Sequence, residues 1–409
     1  MASVKYTEPS EIVESIPDGS VVLLPQGCSE PRTFYDALSG GIGRFRRLRL
    51  FSGLQFGPYS YLDAGLNENF SYTTWHVGGN ARKLARAGAI SYMPLRFSEV
   101  GNAFPHQDYL VIQTGPPVNG EVNLGVSVSI NLELMKQAKC VVAEVTDHMP
   151  ATCGESVIPA DRIDYFVRGD NGPAQFARAE PGDLEVEIAK RVLTLIPDGA
   201  CVQLGIGGVP ESLIGMLAGR KDIRLHTGMV TDGFIPFLDQ TDGVVTVAEA
   251  FGTKEIFDYI HNNPKVQLRT ASHTHNPTVI GAIPKFTSIN SALEIDLTGQ
   301  VNAEAVGTAP VAGIGGSMDF FEGAARSDGG QAILALASTA AQGTRSRIVP
   351  ELAAGTPVTL PRYMVHKIVT EFGIADLRGK TLKERGIALA QVAHPDFRDE
   401  LLAATNLIP

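Results

Sequence analysis

Ile16-Pro17-Asp18-Gly19 runs into SVVLLPQGCSEP (20–31), and Ile196-Pro197-Asp198-Gly199 runs into ACVQLGIGGVPE (200–211). Each copy sets a Pro-Asp-Gly turn before an apolar run and a glycine-bearing loop after it, which predicts a turn, a buried strand and a loop into a helix. The copies lie 180 residues apart. A second match follows in the same order: Arg49-Leu50-Phe51-Ser52-Gly53-Leu54 against Arg224-Leu225-His226-Thr227-Gly228-Met229, at an offset of 175. Two ordered matches at nearly one offset predict an internal duplication.

Outward from these anchors, strand-like runs alternate with helical patterns. DYLVIQT (108–114), CVVAEVT (140–146), GVVTVAEAF (243–251) and AILALAST (332–339) read as strands, and NLELMKQA (131–138) and LEVEIAKRVLTLI (184–196) as helices. The fold class is therefore α/β: two related open α/β domains with mostly parallel sheets, residues 1–180 and 181–409. The Pro-, Gly- and charge-rich stretch DNGPAQFARAEPGDL (170–184) supplies the boundary. Ligands of such sheets bind beyond the carboxyl ends of the strands, so the active site is expected in strand-end loops of the interdomain cleft.

Composition narrows the classes of function. With 44% apolar and 19% charged residues, the 409-residue chain has the means to build cores, and its formal charge of −10 disfavours nucleic acid as a partner. Cys28, Cys140, Cys153 and Cys201 form no CxxC pair, so neither a zinc ribbon nor a disulfide framework is expected, and a reducing cytoplasm fits. No apolar run reaches the roughly 18 residues of a membrane span, and the first residues lack the pattern of an export signal.

Two glycine loops carry chemical promise. Gly313-Ile314-Gly315-Gly316, leading into Ser317-Met318-Asp319-Phe320, would let backbone N–H groups approach an anion or a thioester carbonyl. Gly205-Ile206-Gly207-Gly208-Val209-Pro210 sits where a helix start can face a phosphate, but it fails the GxGxxG dinucleotide pattern at its last position. An isolated GxGG is more often an ordinary turn than a ligand contact.

Longer motifs are more specific. GPPVNGEVNLGVSVS (115–129), AEVTDHMPATCGESVIPADRIDYFV (143–167), INSALEIDLTGQVNAE (289–304), GIGGSMDFFEGA (313–324), SRIVP (346–350), VTEFGIADLRGKTLKER (369–385) and AHPDFRDEL (393–401) resemble, in order, the acetyl-CoA hydrolase/transferase family, which includes 4-hydroxybutyrate and butyryl-CoA:acetate CoA-transferases. The resemblance implies acyl-CoA and a small carboxylic acid as partners, coenzyme A as substrate with no metal or redox cofactor, and a homodimer or homotetramer. It also implies a glutamate nucleophile that forms an acyl anhydride and then a glutamyl-CoA thioester.

This chain departs from that pattern at the nucleophile. The strand end that resembles the family's catalytic motif reads His226-Thr227-Gly228-Met229, with glycine where glutamate is expected. Glu249 is the candidate replacement, as nucleophile or general base, because period-2 alternation puts it on one face with Val245 and Val247. Its plain reading is a strand-end acid in solvent or paired with Lys254. His226 is a second catalytic candidate, though a structural role is the commoner fate of such a histidine. Gly228, Gly313, Gly315, Gly316, Gly205, Gly207, Glu99 and Asn276 are candidates for substrate and CoA contact. For Asp232, Asn276 and Asn290, capping or turn roles are the plain reading. The expected activity is CoA transfer between an acyl-CoA and a carboxylic acid. The alternatives are hydrolysis of a thioester or C–C bond by activated water, with Glu249 or His226 as base, and noncatalytic acyl-CoA binding.

Overall fold

Both Pro-Asp-Gly turns form. Gly19 and Gly199 take φ of +85° and +72°, a region that glycine enters without a Cβ penalty, while Ile16 and Ile196 ahead of them are buried. Each turn launches a buried strand, Val21–Leu23 and Cys201–Leu204. The structure, a computed structural model, describes residues 5–57, 60–79, 81–104, 106–177, 180–220 and 222–408.

The chain packs into two units. In the first, seven parallel strands lie in the order Tyr165–Arg168, Ala138–Val145, Gln107–Thr114, Val21–Leu23, Leu48–Ser52, Phe70–Thr74 and Ser91–Tyr92. Ile12, Phe34, Leu38, Phe45 and Tyr61 pack with the strand residues Val22, Leu50, Val111 and Val142 in one core. Burial of such side chains contributes about 1.5–3 kcal/mol each.

In the second unit the order is Gly373–Asp376, Lys367–Thr370, Gln331–Ala335, Phe286–Asn290, Cys201–Leu204 and Arg224–Val230, the last of these belonging to the unit as far as Gly228. All pairs are parallel except the Lys367–Thr370 and Gly373–Asp376 hairpin. The duplication is visible in the pairing. Val21–Leu23 lies between Leu48–Ser52 and Gln107–Thr114, as Cys201–Leu204 lies between Arg224–Val230 and Phe286–Asn290. Helix Asp183–Leu193 starts at the Pro- and Gly-rich stretch, and helix Pro395–Ala404 starts at His394, whose Nδ1 accepts from the Asp396 N–H.

The sequence predicts contiguous halves meeting at 180/181. The first unit ends its first segment at Ala177 but also contains residues 229–232 and 244–273. The physical reason is strand pairing: Val245–Ala250 pairs with Val266–Leu268, which pairs in turn with Cys153–Gly154. The predicted strands at 108–114, 140–146, 243–251 and 332–339 all form, with ends shifted by at most four residues. The predicted helix at 131–138 stops at Met135, because Ala138 already starts the next strand. All four cysteines are free thiols. Among the described residues no helix is long and apolar enough to cross a membrane.

Candidate active site

Glu249 lies in the first unit, on strand Val245–Ala250, and is 3% exposed. Three donors converge on its Oε1: Ser129 Oγ at 2.5 Å, Gln26 Nε2 at 2.9 Å and Ser127 Oγ at 3.1 Å. Gln26 is itself held by Trp75, whose indole N–H donates to Gln26 Oε1 at 2.9 Å. The serines reach Glu249 because residues 126–129 run antiparallel to 248–250, with Ala250 N–H donating to Val126 O. Burial pushes the Glu249 pKa above the ordinary carboxylate range, and the serine and glutamine donors pull the other way. Lys254 is not its partner; that ammonium binds Asp258, 2.6 Å away on the same helix.

A second cluster forms within the second unit around a residue that the sequence patterns did not single out, His275. Its imidazole is buried between two glycine backbones. A Cβ built on Gly228 would stand 3.1 Å from His275 Nε2, and one built on Gly316 would stand 2.6 Å from the same atom. The Phe320 ring completes the enclosure, with centroids 4.6 Å apart. The Gly228 backbone and the 313–316 loop thus meet at one imidazole. His226, two residues before Gly228, is buried as well; its Nε2 lies 2.8 Å from the Thr274 carbonyl, which only accepts, so Nε2 carries the proton. Thr274 Oγ1 lies 2.8 Å from His275 Nδ1, which links the two histidines through one residue. Burial first, and the neighbouring His226 second, push the His275 pKa down to about 3, so the ring is neutral near pH 7.

The remaining candidates have local work. Gly313 is buried; Gly315 has φ of +59° with no atom within 4 Å of the position its Cβ would take; Gly316 leads into helix Ser317–Arg326. Gly205 lies under Asn290, where a Cβ would be 2.6 Å from Oδ1, and Asn290 Nδ2 donates to Gln203 Oε1 and Ser288 Oγ. Gly207, at φ of +143°, precedes helix Gly208–Leu217. Glu99 is exposed and turns back to the Arg96 N–H at the start of its own short helix. Asn276 caps helix Pro277–Gly281 through the Thr278 N–H, and Asp232 receives Thr253 N–H, Thr253 Oγ–H and Ile256 N–H.

The structure therefore brings Gly228, Gly316 and, through Thr274, His226 to His275. Glu249 has a network of its own in the first unit, and Glu99 is used at a helix start. The cue to His275 was local: Ser272-His273-Thr274-His275-Asn276-Pro277 holds two of the chain's nine histidines, two positions apart.

Two open α/β units, each with buried polar groups at its strand ends, make up the chain. Residues 3–177 match the acetyl-CoA hydrolase/transferase N-terminal domain and residues 252–405 the C-terminal domain. The chain is 34% identical to a 4-hydroxybutyrate coenzyme A transferase of Clostridium kluyveri, over 97% of this chain and 96% of that protein. It is 36% identical to a butyryl-CoA:acetate CoA-transferase of Anaerostipes caccae, over 82% and 80%. The crystal structure of RipA from Yersinia pestis superposes with a TM-score of 0.92 at 29% identity, covering 99% of this chain and 97% of that one. The chain belongs to the acetyl-CoA hydrolase/transferase family, and it is an enzyme of the CoA-transferase type.

Proposed function

We propose that this enzyme cleaves acyl-CoA thioesters with water instead of passing CoA between carboxylic acids through a glutamyl intermediate at the strand end. One observation carries the reading. Where the family resemblance implies the nucleophilic glutamate, this chain has Gly228, and the His275 ring lies against the point from which a side chain would project. With no carboxylate there to form an anhydride, the acyl carbon is left to water. Coenzyme A is then a product, and no metal or redox group is required. The names of the relatives, on 4-hydroxybutyrate and butyryl-CoA, support a short acyl chain. The loop 313–316 supports a carbonyl site, since glycine leaves its N–H groups open to close approach.

A second reading is favoured by Glu249: transfer to a carboxylic acid with this carboxylate as nucleophile. All three donors meet Oε1, and Oε2 accepts no hydrogen bond among the described residues. One experiment separates the two. Thiol release from acetyl-CoA and butyryl-CoA is measured with and without acetate or succinate, and enzyme incubated with acyl-CoA is reduced with borohydride and peptide-mapped. Hydrolysis gives release at the same rate with or without acceptor, and no modified peptide. Acceptor-dependent appearance of a new thioester, with modification at Glu249, would replace it by transfer.

A further inference from the structure

We infer that Gln26 is a positioning residue for catalysis: anchored by Trp75, it holds Glu249 Oε1 and so leaves Oε2 as the oxygen that takes the proton from the water attacking the thioester. This deepens the hydrolytic reading, rests on it for the identity of the attacking molecule, and makes Glu249 the general base.

The first argument is the fixed direction of the hydrogen bonds. An indole N–H only donates, so the Trp75 bond to Gln26 Oε1 determines which way the amide faces and turns its Nε2–H onto Glu249 Oε1. Ile130 N–H donates to Ser129 Oγ at 2.5 Å, which uses an acceptor site of that hydroxyl and directs its hydrogen to Glu249 Oε1. With Ser127 Oγ–H as the third donor, Oε1 is fully engaged. Oε2 accepts no hydrogen bond among the described residues, and it is not one of their buried atoms closed off without a partner; the slight exposure of Glu249 reaches this oxygen. Phe251 N–H donates to Val230 O, both in the first unit, so Glu249 stands on the strand that pairs with the residues following Gly228.

The second argument concerns the proton. Burial pushes the Glu249 pKa up, the donors from Ser129, Gln26 and Ser127 pull it down, and no charged side chain among the described residues contributes. Its titratable neighbour Cys28 is a thiol that burial keeps neutral. The Gln26 bond is therefore one of three that keep the acid ionised as well as oriented. As the water oxygen bonds to the carbonyl carbon, one water proton passes to Glu249 Oε2 and the C=O pair moves onto the carbonyl oxygen. On collapse that pair returns, the C–S bond breaks and the Oε2 proton passes to the CoA sulfur, which restores the carboxylate. The second water hydrogen leaves as the acid ionises.

The test follows steady-state thiol release from acetyl-CoA and butyryl-CoA from about pH 4 to about pH 9 in wild type, Glu249→Gln, Gln26→Leu and Trp75→Phe. A general base is typically worth about 10²–10⁴ in rate, so E249Q is expected to lose at least about a hundredfold in kcat with KM changed by less than about threefold. Q26L removes a donor to the carboxylate, which raises the Glu249 pKa, so the acid limb of log kcat is expected to move up by about one pH unit; kcat on that limb falls about tenfold. W75F frees the Gln26 amide to turn and is expected to move the limb the same way by less. E249Q with kcat within about threefold of wild type, or Q26L with its acid limb where wild type has it, overturns the assignment. Should Q26L not fold, W75F carries the test, and an unmoved limb overturns it. Acceptor-dependent CoA exchange by wild type overturns the hydrolytic reading and the proton step with it; the same limb, read on the exchange rate, then upholds or overturns Gln26 as the residue that sets Oε2 as the reactive oxygen. A wild type that neither releases thiol nor exchanges CoA overturns both.

Discussion

Residues 53 and 228 occupy the same place in the duplicated sequence, and both are glycine. In the first unit the residue before it, Ser52, donates through Oγ to Pro25 O at 3.0 Å; in the second, Thr227 Oγ1 donates to Leu204 O at 3.0 Å. A Cβ on Gly53 would stand 2.5 Å from Trp75 Nε1 and press on the Gln26 amide; one on Gly228 would press on His275. Both copies thus use a hydroxyl to tie the strand end to its neighbour and a glycine to admit a polar side chain. They differ in what that polar group serves. In the first unit it ends at a buried carboxylate, Glu249, and in the second at a neutral imidazole. The bare strand end at 228 is accordingly a shared geometry of the duplication, and only one copy attaches an acid to it.

The strongest way to break this comparison is to remove the acid. Glu249→Ala leaves Gln26 Nε2 and two serine hydroxyls without their buried acceptor, and we expect a loss of about 3 kcal/mol in urea unfolding, against under about 1.5 kcal/mol for Glu249→Gln, which keeps an acceptor oxygen. Equal losses in the two variants would mean that the network does not depend on that acceptor. The next effect is the pair of alanines. Gly53→Ala should cost about 2–3 kcal/mol and Gly228→Ala about 1 kcal/mol, because the indole contact is shorter than the imidazole contact. The reverse order in the two melting curves would show that the copies are not equivalent in packing.

The smallest effect sharpens the contrast between acids within the first unit. Glu144, buried on strand Ala138–Val145, accepts from the Phe34 N–H, and burial pushes its pKa up to about 7. The folded protein therefore holds this proton more tightly than the unfolded chain. Stability from this group is fully present below the unfolded pKa of about 4.5 and falls as pH rises towards 7, by at most about 1.4 kcal/mol per pH unit. Glu144→Gln should flatten that slope in melting temperature against pH; an unchanged slope would assign it to other groups.

The duplication and the parallel sheets were legible because turn chemistry and apolar runs are local and repeat in order. Glu249 was legible in part: alternation placed an acid among Val245 and Val247, and the three donors supply the reason for it. The donors themselves come from residues 26, 127 and 129, more than a hundred positions away, which no period can reveal. Gly228 was legible as an absence, but what lies against it was not. His275 sits 47 residues downstream in a segment that reads as a polar turn, and only the close approach of Gly228, Gly316 and Phe320 gives it a setting.

The backbone changes unit at 177/178, 228/229, 232/233, 243/244 and 273/274. A gene cut after residue 180 would encode an amino-terminal product that lacks 244–273, with the Gln26 amide and the hydroxyls of Ser127 and Ser129 pointing at a missing acceptor. The stretch between the two family matches, 178–251, then supplies components to both bodies. The amino-terminal stretch is therefore no portable module: the buried acid that its Gln26, Ser127 and Ser129 hold comes from strand Val245–Ala250.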